Sequence, residues 1–413
     1  MALNGEKVYG ELLKLEWPWR VDRVEMDEKQ ERVDIHLEHD RNARFLCKEC
    51  GEEAPTYDHA PERMWRHLDL FEYAAYIHAR LPRTQCKRCG VRLIVNEWAE
   101  GGSSFTAKFE RRVIDLAKEC SVEGVRRLAR LTWDQTWGGV KRAVKRGLAR
   151  KERKVPRRIG VDEKSFAKRH KYETLVCDLD AGTVEYVADG RDAASLAGYF
   201  KQFSRTDLEG IEAIAMDMWP AYIAAAREHV PRADEKIVFD KFHIVRGMTE
   251  AVDKVRRREH KELEAQGVDW LKRTRFLWLC NEENVPAKRR SEFEALKGKD
   301  LKVGRAWSIK ENLRWLWEYR SKGWARRFFD RWYGWAARCR LVEVAQAART
   351  IRNHIDNILT FVDHRVTNAT AEGLNSKIEK VKKMACGFRN REHYRTAILF
   401  HCGGLDMYPR PAA

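Results

Sequence analysis

No stretch of this 413-residue sequence approaches the roughly 18 consecutive apolar residues that a membrane-spanning helix requires, which argues against a membrane protein. The opening MALNGEKVYGELLKLEW holds neither a long apolar segment nor a small-residue cleavage site, so no secretory leader is expected. Acidic side chains are in short supply: 63 Asp and Glu face 80 Lys and Arg, a formal net charge of +17. Such a surplus suits a polyanionic partner, because a positive surface attracts phosphates and releases their counterions. A cytoplasmic, nucleoid-associated location follows, and there the ten cysteines stay as thiols or bind metal. The length exceeds one ordinary domain and predicts two to four modules.

The positive charge is concentrated. Between Cys120 and Arg158, 13 Lys and Arg stand against 3 Asp and Glu, more than half of the chain's surplus. Density alone is equally compatible with a solvated linker and a nucleic-acid surface. On its amino-terminal side lie two knuckles, Cys47-Lys-Glu-Cys50-Gly51 and Cys86-Lys-Arg-Cys89-Gly90. Two residues between cysteines let both thiolates face one ion, and the following glycine permits the tight turn. Each knuckle follows a strand-like run, Val33–Leu37 and Tyr73–Ile77. The pair predicts a four-thiolate Zn²⁺ ribbon over residues 1–102, structural because four protein ligands leave no open position; a redox pair is the alternative. His59 and His67, between the knuckles, read as surface or core residues.

Residues 103–155 read as a helix-turn-helix. Thr106 caps a helix with Phe109, Val113 and Leu116 on one face, and Ser121 caps a second with Val125, Leu128 and Ala129 inward. Thr132-Trp-Asp-Gln135 is a capping box opening a third, whose expected buried stripe is Trp133, Trp137, Val140, Val144 and Leu148. Gln135 and Thr136 sit where a recognition helix reads base edges; Lys141, Arg142, Lys145 and Arg146 fall off the stripe, where phosphates could be met. The rival reading is a plain helical linker.

From Arg158 the pattern changes. Arg158–Asp162 reads as a short strand ending in an acid, followed by strands at Tyr172–Cys177 and Thr183–Val187 and a helix over Ala193–Phe203. A fourth strand, Ile211–Met216, ends at Asp217, Pro220 starts a helix, and a fifth strand, Ile237–Phe239, ends at Asp240. Three adjacent strands, then helix, strand, helix, strand, fit an RNase H-like α/β core with acids on the first and fourth strands.

Four ordered motifs carry a resemblance: Gly160-Val-Asp162-Glu-Lys-Ser-Phe166, Ala215-Met-Asp217-Met-Trp-Pro-Ala-Tyr222, Phe239-Asp-Lys-Phe-His243 and Glu372-Gly-Leu-Asn-Ser-Lys377, with Cys386-Gly-Phe-Arg-Asn390 as a closing segment. The series resembles bacterial insertion-sequence transposases of the ISL-three type along nearly the whole chain. Where that family often has a basic residue seven positions after the glutamate, this chain has Glu379. The resemblance implies a DDE transposase whose catalytic acids fall on Asp162, Asp217 and Glu372. It also implies a helical insertion between the second and third acids.

Acids suit this chemistry because cutting and joining a phosphodiester needs an activated nucleophile and a stabilised leaving oxygen, which two Mg²⁺ (or Mn²⁺) ions about 4 Å apart supply. Glu372 opens a helix running to about Met384, which turns Lys377, Lys380 and Lys383 outward toward DNA. Glu163 neighbours Asp162, but strand alternation sends it to the opposite face. Asp240 and His243 are possible auxiliaries that orient a ligand, move a proton or contact DNA; His243 as a hydrogen-bonded core residue is equally consistent. Trp219 and Tyr222 read as core packing, with stacking on an unpaired base as the alternative. The stretch 246–365 is helical in pattern and rich in tryptophan, which serves as core filler or as a surface for DNA ends or a second protomer.

The expected architecture is multidomain α+β: zinc ribbon (1–102), helix-turn-helix (103–155), RNase H-like core (156–245), all-helical insertion (246–365) and the last part of the core with the glutamate helix (366–413). Its expected partners are double-stranded DNA, both element ends and target, and at least one further copy of itself. The rival functions are a non-catalytic DNA-binding regulator descended from a transposase and an RNase H-like nuclease or resolvase.

Overall fold

The computed structural model describes residues 5–167 and 171–410; the first four residues of the stretch read for a leader lie outside them. The chain runs α1 (Gly5–Leu13), β1 (Trp19–Asp27), β2 (Arg32–His39), β3 (Arg44–Leu46), β4 (Glu53–His59), β5 (Arg63–Arg66), β6 (Ala74–Ala79), β7 (Pro82–Cys86) and β8 (Gly90–Leu93). Three helices follow: α2 (Ala107–Glu119), α3 (Val122–Leu128) and α4 (Trp133–Arg150). Next come β9 (Arg158–Ala167), β10 (Lys171–Asp178), β11 (Thr183–Asp189), α5 (Ala193–Phe200), α6 (Arg205–Glu209), β12 (Ala213–Met216), α7 (Pro220–His229), α8 (Ala233–Lys236) and β13 (Ile237–Phe239). A helical stretch holds α9 (Lys241–Glu264), α10 (Arg275–Leu279), α11 (Arg290–Lys297), α12 (Lys302–Leu313), α13 (Lys322–Ala337), α14 (Val342–Asn353), α15 (Ile355–Leu359) and α16 (Phe361–His364). The chain closes with α17 (Ala369–Met384) and α18 (Arg391–Cys402). Among the described residues, no helix is long and apolar enough to cross a membrane.

Two compact units result, residues 1–152 with 381–413, and residues 153–380. The expectation that 366–413 all completes the core is therefore corrected: from Val381 onward the chain groups with the amino-terminal unit. There α18 packs on α4, and Ala397 and Phe400 share a core with Trp137, Val140 and Val144.

The first unit contains two sheets. Strands β1-β2-β6-β5 form one, around Trp19, Ile35, Trp65 and Ile77, and the short strands β3-β4-β7-β8 form the other. The strand-like runs at 33–37 and 73–77 are real, but they pair with each other in parallel in the first sheet. The knuckles instead sit on the second, at the ends of β3 and β7. The three caps form as expected: Thr106 accepts from the Phe109 N–H, Ser121 from Gly124, and Thr132 and Gln135 close a reciprocal box. Burial departs from the expected stripe. Leu128 at the end of α3 is exposed, and so are Trp133 and Leu148 on α4, which turns Ala143 and Gly147 inward instead.

The second unit is built on a five-stranded sheet of order β11-β10-β9-β12-β13. The first three strands are antiparallel, while β12 and β13 run parallel to β9. All four residues of β12 and all three of β13 are buried, as expected of parallel strands covered on both faces. Strand β9 is longer than its sequence suggested and continues past Asp162 to pair Glu163 with Thr174. The helical stretch shares one apolar core with the sheet, from Ile159 to Leu359. Trp278, Trp307, Trp317 and Trp332 are buried in it, whereas Trp270, Trp315, Trp324 and Trp335 are exposed.

Candidate active site and metal centre

The parallel register aligns the acids. Gly160 of β9 pairs with Ala215 of β12, and Met216 of β12 pairs with Phe239 of β13. Continuing each ladder past its last pair sets Asp162, in the middle of β9, in one row with Asp217 and Asp240 at the carboxyl ends of β12 and β13, the edge where open α/β sheets bind ligands. Asp217 accepts from the Trp219 N–H at 3.0 Å, and Asp240 caps α9 by accepting from the Phe242 N–H at 3.0 Å. The second Asp240 oxygen, Oδ2, is buried without a hydrogen-bond partner and lies 4.0 Å from His243 Nε2. Burial pushes the Asp217 and Asp240 carboxyls above the ordinary range, with the Asp162 charge adding to both and His243 opposing. Glu163 joins this field. Burial, followed by the Asp217 and Asp162 charges, raises its carboxyl to about 7.

Glu372 lies in the first turn of α17 and is exposed. One turn on, Asn375 donates a short hydrogen bond from Nδ2 to Asp162 Oδ2, tying this helix to β9. A bare backbone at Gly160 permits the approach: a Cβ there would stand 3.1 Å from Asn368 Oδ1 and 3.3 Å from the Ala371 Cβ. Asp162, Asp217 and Glu372 are not among the described residues' three-ligand groups with all donor atoms within 4.8 Å. The crowded acids and the orphaned Asp240 oxygen are suited to a hard divalent cation.

The four knuckle sulfurs form a tighter group, all within 4.8 Å of one another, with Cys50 and Cys86 Sγ 3.5 Å apart. Gly51 and Gly90 have φ of +72° and +73°, the left-handed turn the knuckles need. Backbone N–H groups of Cys50 and Glu49 pull the Cys47 thiol down to about 7, while the Cys50 sulfur and burial push Cys89 up to about 12. Four sulfurs so close deprotonate together only around a cation, which fits zinc. A second group, His36, Glu62 and His78, escaped the sequence reading because β2 and β6 bring it together only in space. There His78 Nε2 lies 2.5 Å from Asp34 and its Nδ1 3.4 Å from Glu62.

The predicted DNA-contacting residues divide. Lys145, Lys377, Lys380 and Lys383 are exposed. Gln135 is exposed but spends its side-chain oxygen on the Thr132 N–H, and Lys141 pairs with Glu392 at 2.9 Å. Arg142 reaches the buried Glu110 at 3.1 Å. Two residues are corrected. Thr136 is fully buried with its hydroxyl on the Thr132 carbonyl, and the Arg146 side chain, 8% exposed, is held between Glu100 and Glu110, so neither is free for DNA. Tyr222 is likewise core, its hydroxyl on Thr174 at 2.9 Å. Trp219 is half-buried against Arg191, a residue the sequence reading passed over.

Comparison with known proteins agrees with the geometry. Residues 159–398 match a family model described as "Transposase", and residues 43–89 match one described as "zinc-finger of transposase IS204/IS1001/IS1096/IS1165". The transposase for insertion sequence element IS1557 of Mycobacterium tuberculosis is 29% identical over 373 residues, 83% of this chain and 82% of the relative. That for IS1001 of Bordetella parapertussis is 26% identical over 397 residues, 95% of each.

Proposed function

Because this chain belongs to the ISL-three family of transposases, we propose that it cuts and joins DNA at the terminal inverted repeats of an insertion sequence, using Asp162, Asp217 and Glu372. The observation that carries this reading is the acid row in register across β9, β12 and β13, with the Glu372 helix pinned to its first member. The order of the five strands supports an RNase H-like core. Held there, two divalent cations, Mg²⁺ or Mn²⁺, would activate the attacking oxygen and stabilise the leaving one. Asn375 orients the Asp162 carboxylate through Oδ2, while its Oδ1 accepts from the Glu163 N–H at 2.8 Å and keeps a lone pair for a ligand. Asp240 and His243 are auxiliaries: Asp240 offers its unpartnered oxygen to the row, and the imidazole opposes the acids' mutual repulsion. Lys377 and Lys380, exposed on the glutamate helix, meet the DNA backbone near the acids, with Lys383 farther along. The zinc ribbon and the capped helices α2–α4 bind the repeats as a helix-turn-helix module, with Lys145 on α4 exposed and, among the described residues, without an ion pair, and two copies hold two ends. Attack by water and then by the freed 3′-hydroxyl needs no covalent protein–DNA intermediate, so no Ser or Tyr nucleophile is called for.

The test uses duplex DNA carrying the element's terminal repeat, a target duplex and Mg²⁺. Wild type should yield nicked and joined products. Asp217→Asn and Glu372→Gln should bind the repeat within about twofold and lose cleavage by at least about a thousandfold. Cleavage without joining would leave a nuclease, binding alone a regulator, and normal cleavage by Asp217→Asn would sink the site.

A further inference from the structure

At the mouth of the acid row lies a guanidinium with an unusual setting. Arg191 follows β11, and its guanidinium carbon sits 4.5 Å from the Tyr172 ring centroid and 4.5 Å from that of Trp219. The two rings come from different elements, Tyr172 from β10 and Trp219 from the residue after next beyond Asp217. The indole N–H of Trp219 donates to the Arg191 carbonyl at 2.8 Å, so side chain and backbone are held by the same residue. Two rings at this distance restrain the guanidinium by cation–π attraction, an interaction that uses its π-face and leaves the N–H donors of the planar fork available for other partners. Among the described residues, those donors meet no hydrogen-bond acceptor and no carboxylate within ion-pair distance, although the positive charge is near enough to favour the ionised forms of Asp217 and Glu163. A fixed, half-buried cation with unspent planar donors beside carboxylates is what a phosphodiester oxygen requires.

The geometry points to Arg191 as a phosphate-binding residue that grips the DNA strand at or next to the bond being cut, with Tyr172 and Trp219 holding it in place. This rests on the acid row being the cleavage site. Fixed donors aimed at reacting phosphoryl oxygens cost no reorganisation, and deleting one such donor typically lowers rate about a hundredfold or more.

The experiment uses the full chain, the terminal-repeat duplex and a set of the same duplexes in which single linkages around the cut are neutral methylphosphonates. Arg191→Gln should lower single-turnover cleavage of all-phosphate DNA about a hundredfold, with repeat binding changed less than threefold. One methylphosphonate position should slow wild type similarly but add less than threefold to the Arg191→Gln defect, because the lost contact cannot be lost twice. Arg191→Lys, which keeps the charge and loses the planar fork, should show the same non-additivity and serves if the glutamine variant melts early. Cleavage by either variant within threefold of wild type, or penalties that multiply at every linkage, overturns the proposal. Asp217→Asn run in parallel separates the failures: inactive Asp217→Asn with unaffected Arg191 variants refutes only the phosphate contact, whereas active Asp217→Asn refutes the site itself.

Discussion

Stripping metal from the amino-terminal ribbon should open one sheet and leave its neighbour folded. The ribbon's own buried cluster is Cys47, Ala54 and Cys86, with Cys50 and Cys89 half-buried around it. Its strands are short, three to seven residues. Burying an alanine methyl contributes about 1 kcal/mol, whereas a structural zinc contributes roughly 10–16 kcal/mol of folding free energy. Phe45 and Ile94 lean on the adjoining cluster around Trp65 and retain part of the stability. Even half of the lower zinc figure, about 5 kcal/mol, corresponds to a more than thousandfold rise in the opening constant. The assay is hydrogen–deuterium exchange on the full chain, before and after chelation, with zinc content measured on the same samples. Protection should collapse at 44–46, 53–59, 82–86 and 90–93 and persist at 32–39 and 74–79. Cys86→Ser should reproduce the pattern. Unchanged ribbon exchange in a sample shown to hold no zinc would refute the reasoning.

Three further outcomes are expected. Gly160→Ala places a Cβ 2.7 Å from Leu179 Cδ2 as well as against Asn368 and Ala371, so it should cost about 1–3 kcal/mol in melting experiments and slow cleavage by shifting the Glu372 helix; unaltered cleavage would show that this docking is not needed. Burial, with Lys108 and Arg66 adding, depresses the His67 imidazole to about 4. The unfolded chain therefore takes up its proton first as pH falls, so stability is full above about pH 6.5 and drops by about 3 kcal/mol toward pH 4; His67→Gln should flatten that slope in urea melts, and equal slopes would contradict it. Lys145→Ala should reduce the salt dependence of repeat binding by about one unit of log–log slope without changing the melting temperature, while Arg146→Ala should lower the melting temperature instead; the reverse pattern would place Arg146 on the DNA.

Much of the site was legible because its signals are local. Two cysteines two residues apart with a following glycine specify a knuckle whatever surrounds them, and Thr106, Ser121 and Thr132 find their N–H partners within three residues. An apolar run closed by an acid located Asp217 and Asp240, because a run buried on both faces has to stop where the sheet meets solvent. What was misread depended on which face another element covers. Periodicity gave Leu128, Trp133 and Leu148 an inward face, whereas all three are exposed in the fold, and it freed Arg146, which Glu100 and Glu110 claim from elsewhere in the chain.

The amino-acid sequence by itself determined the cysteine knuckles, the helix caps and the order of strands and helices over 158–239, and it nominated three acids, spread over more than two hundred residues, that are here proposed for catalysis. Tertiary structure alone decided that Asp162, Asp217 and Asp240 stand in one row, that Asn375 joins the glutamate helix to that row, and that Tyr172 and Trp219 clamp Arg191 at its edge. The division has a physical cause: capping and turn chemistry act over a few bonds, whereas strand register and ring stacking are set by surfaces that meet only after the chain has folded.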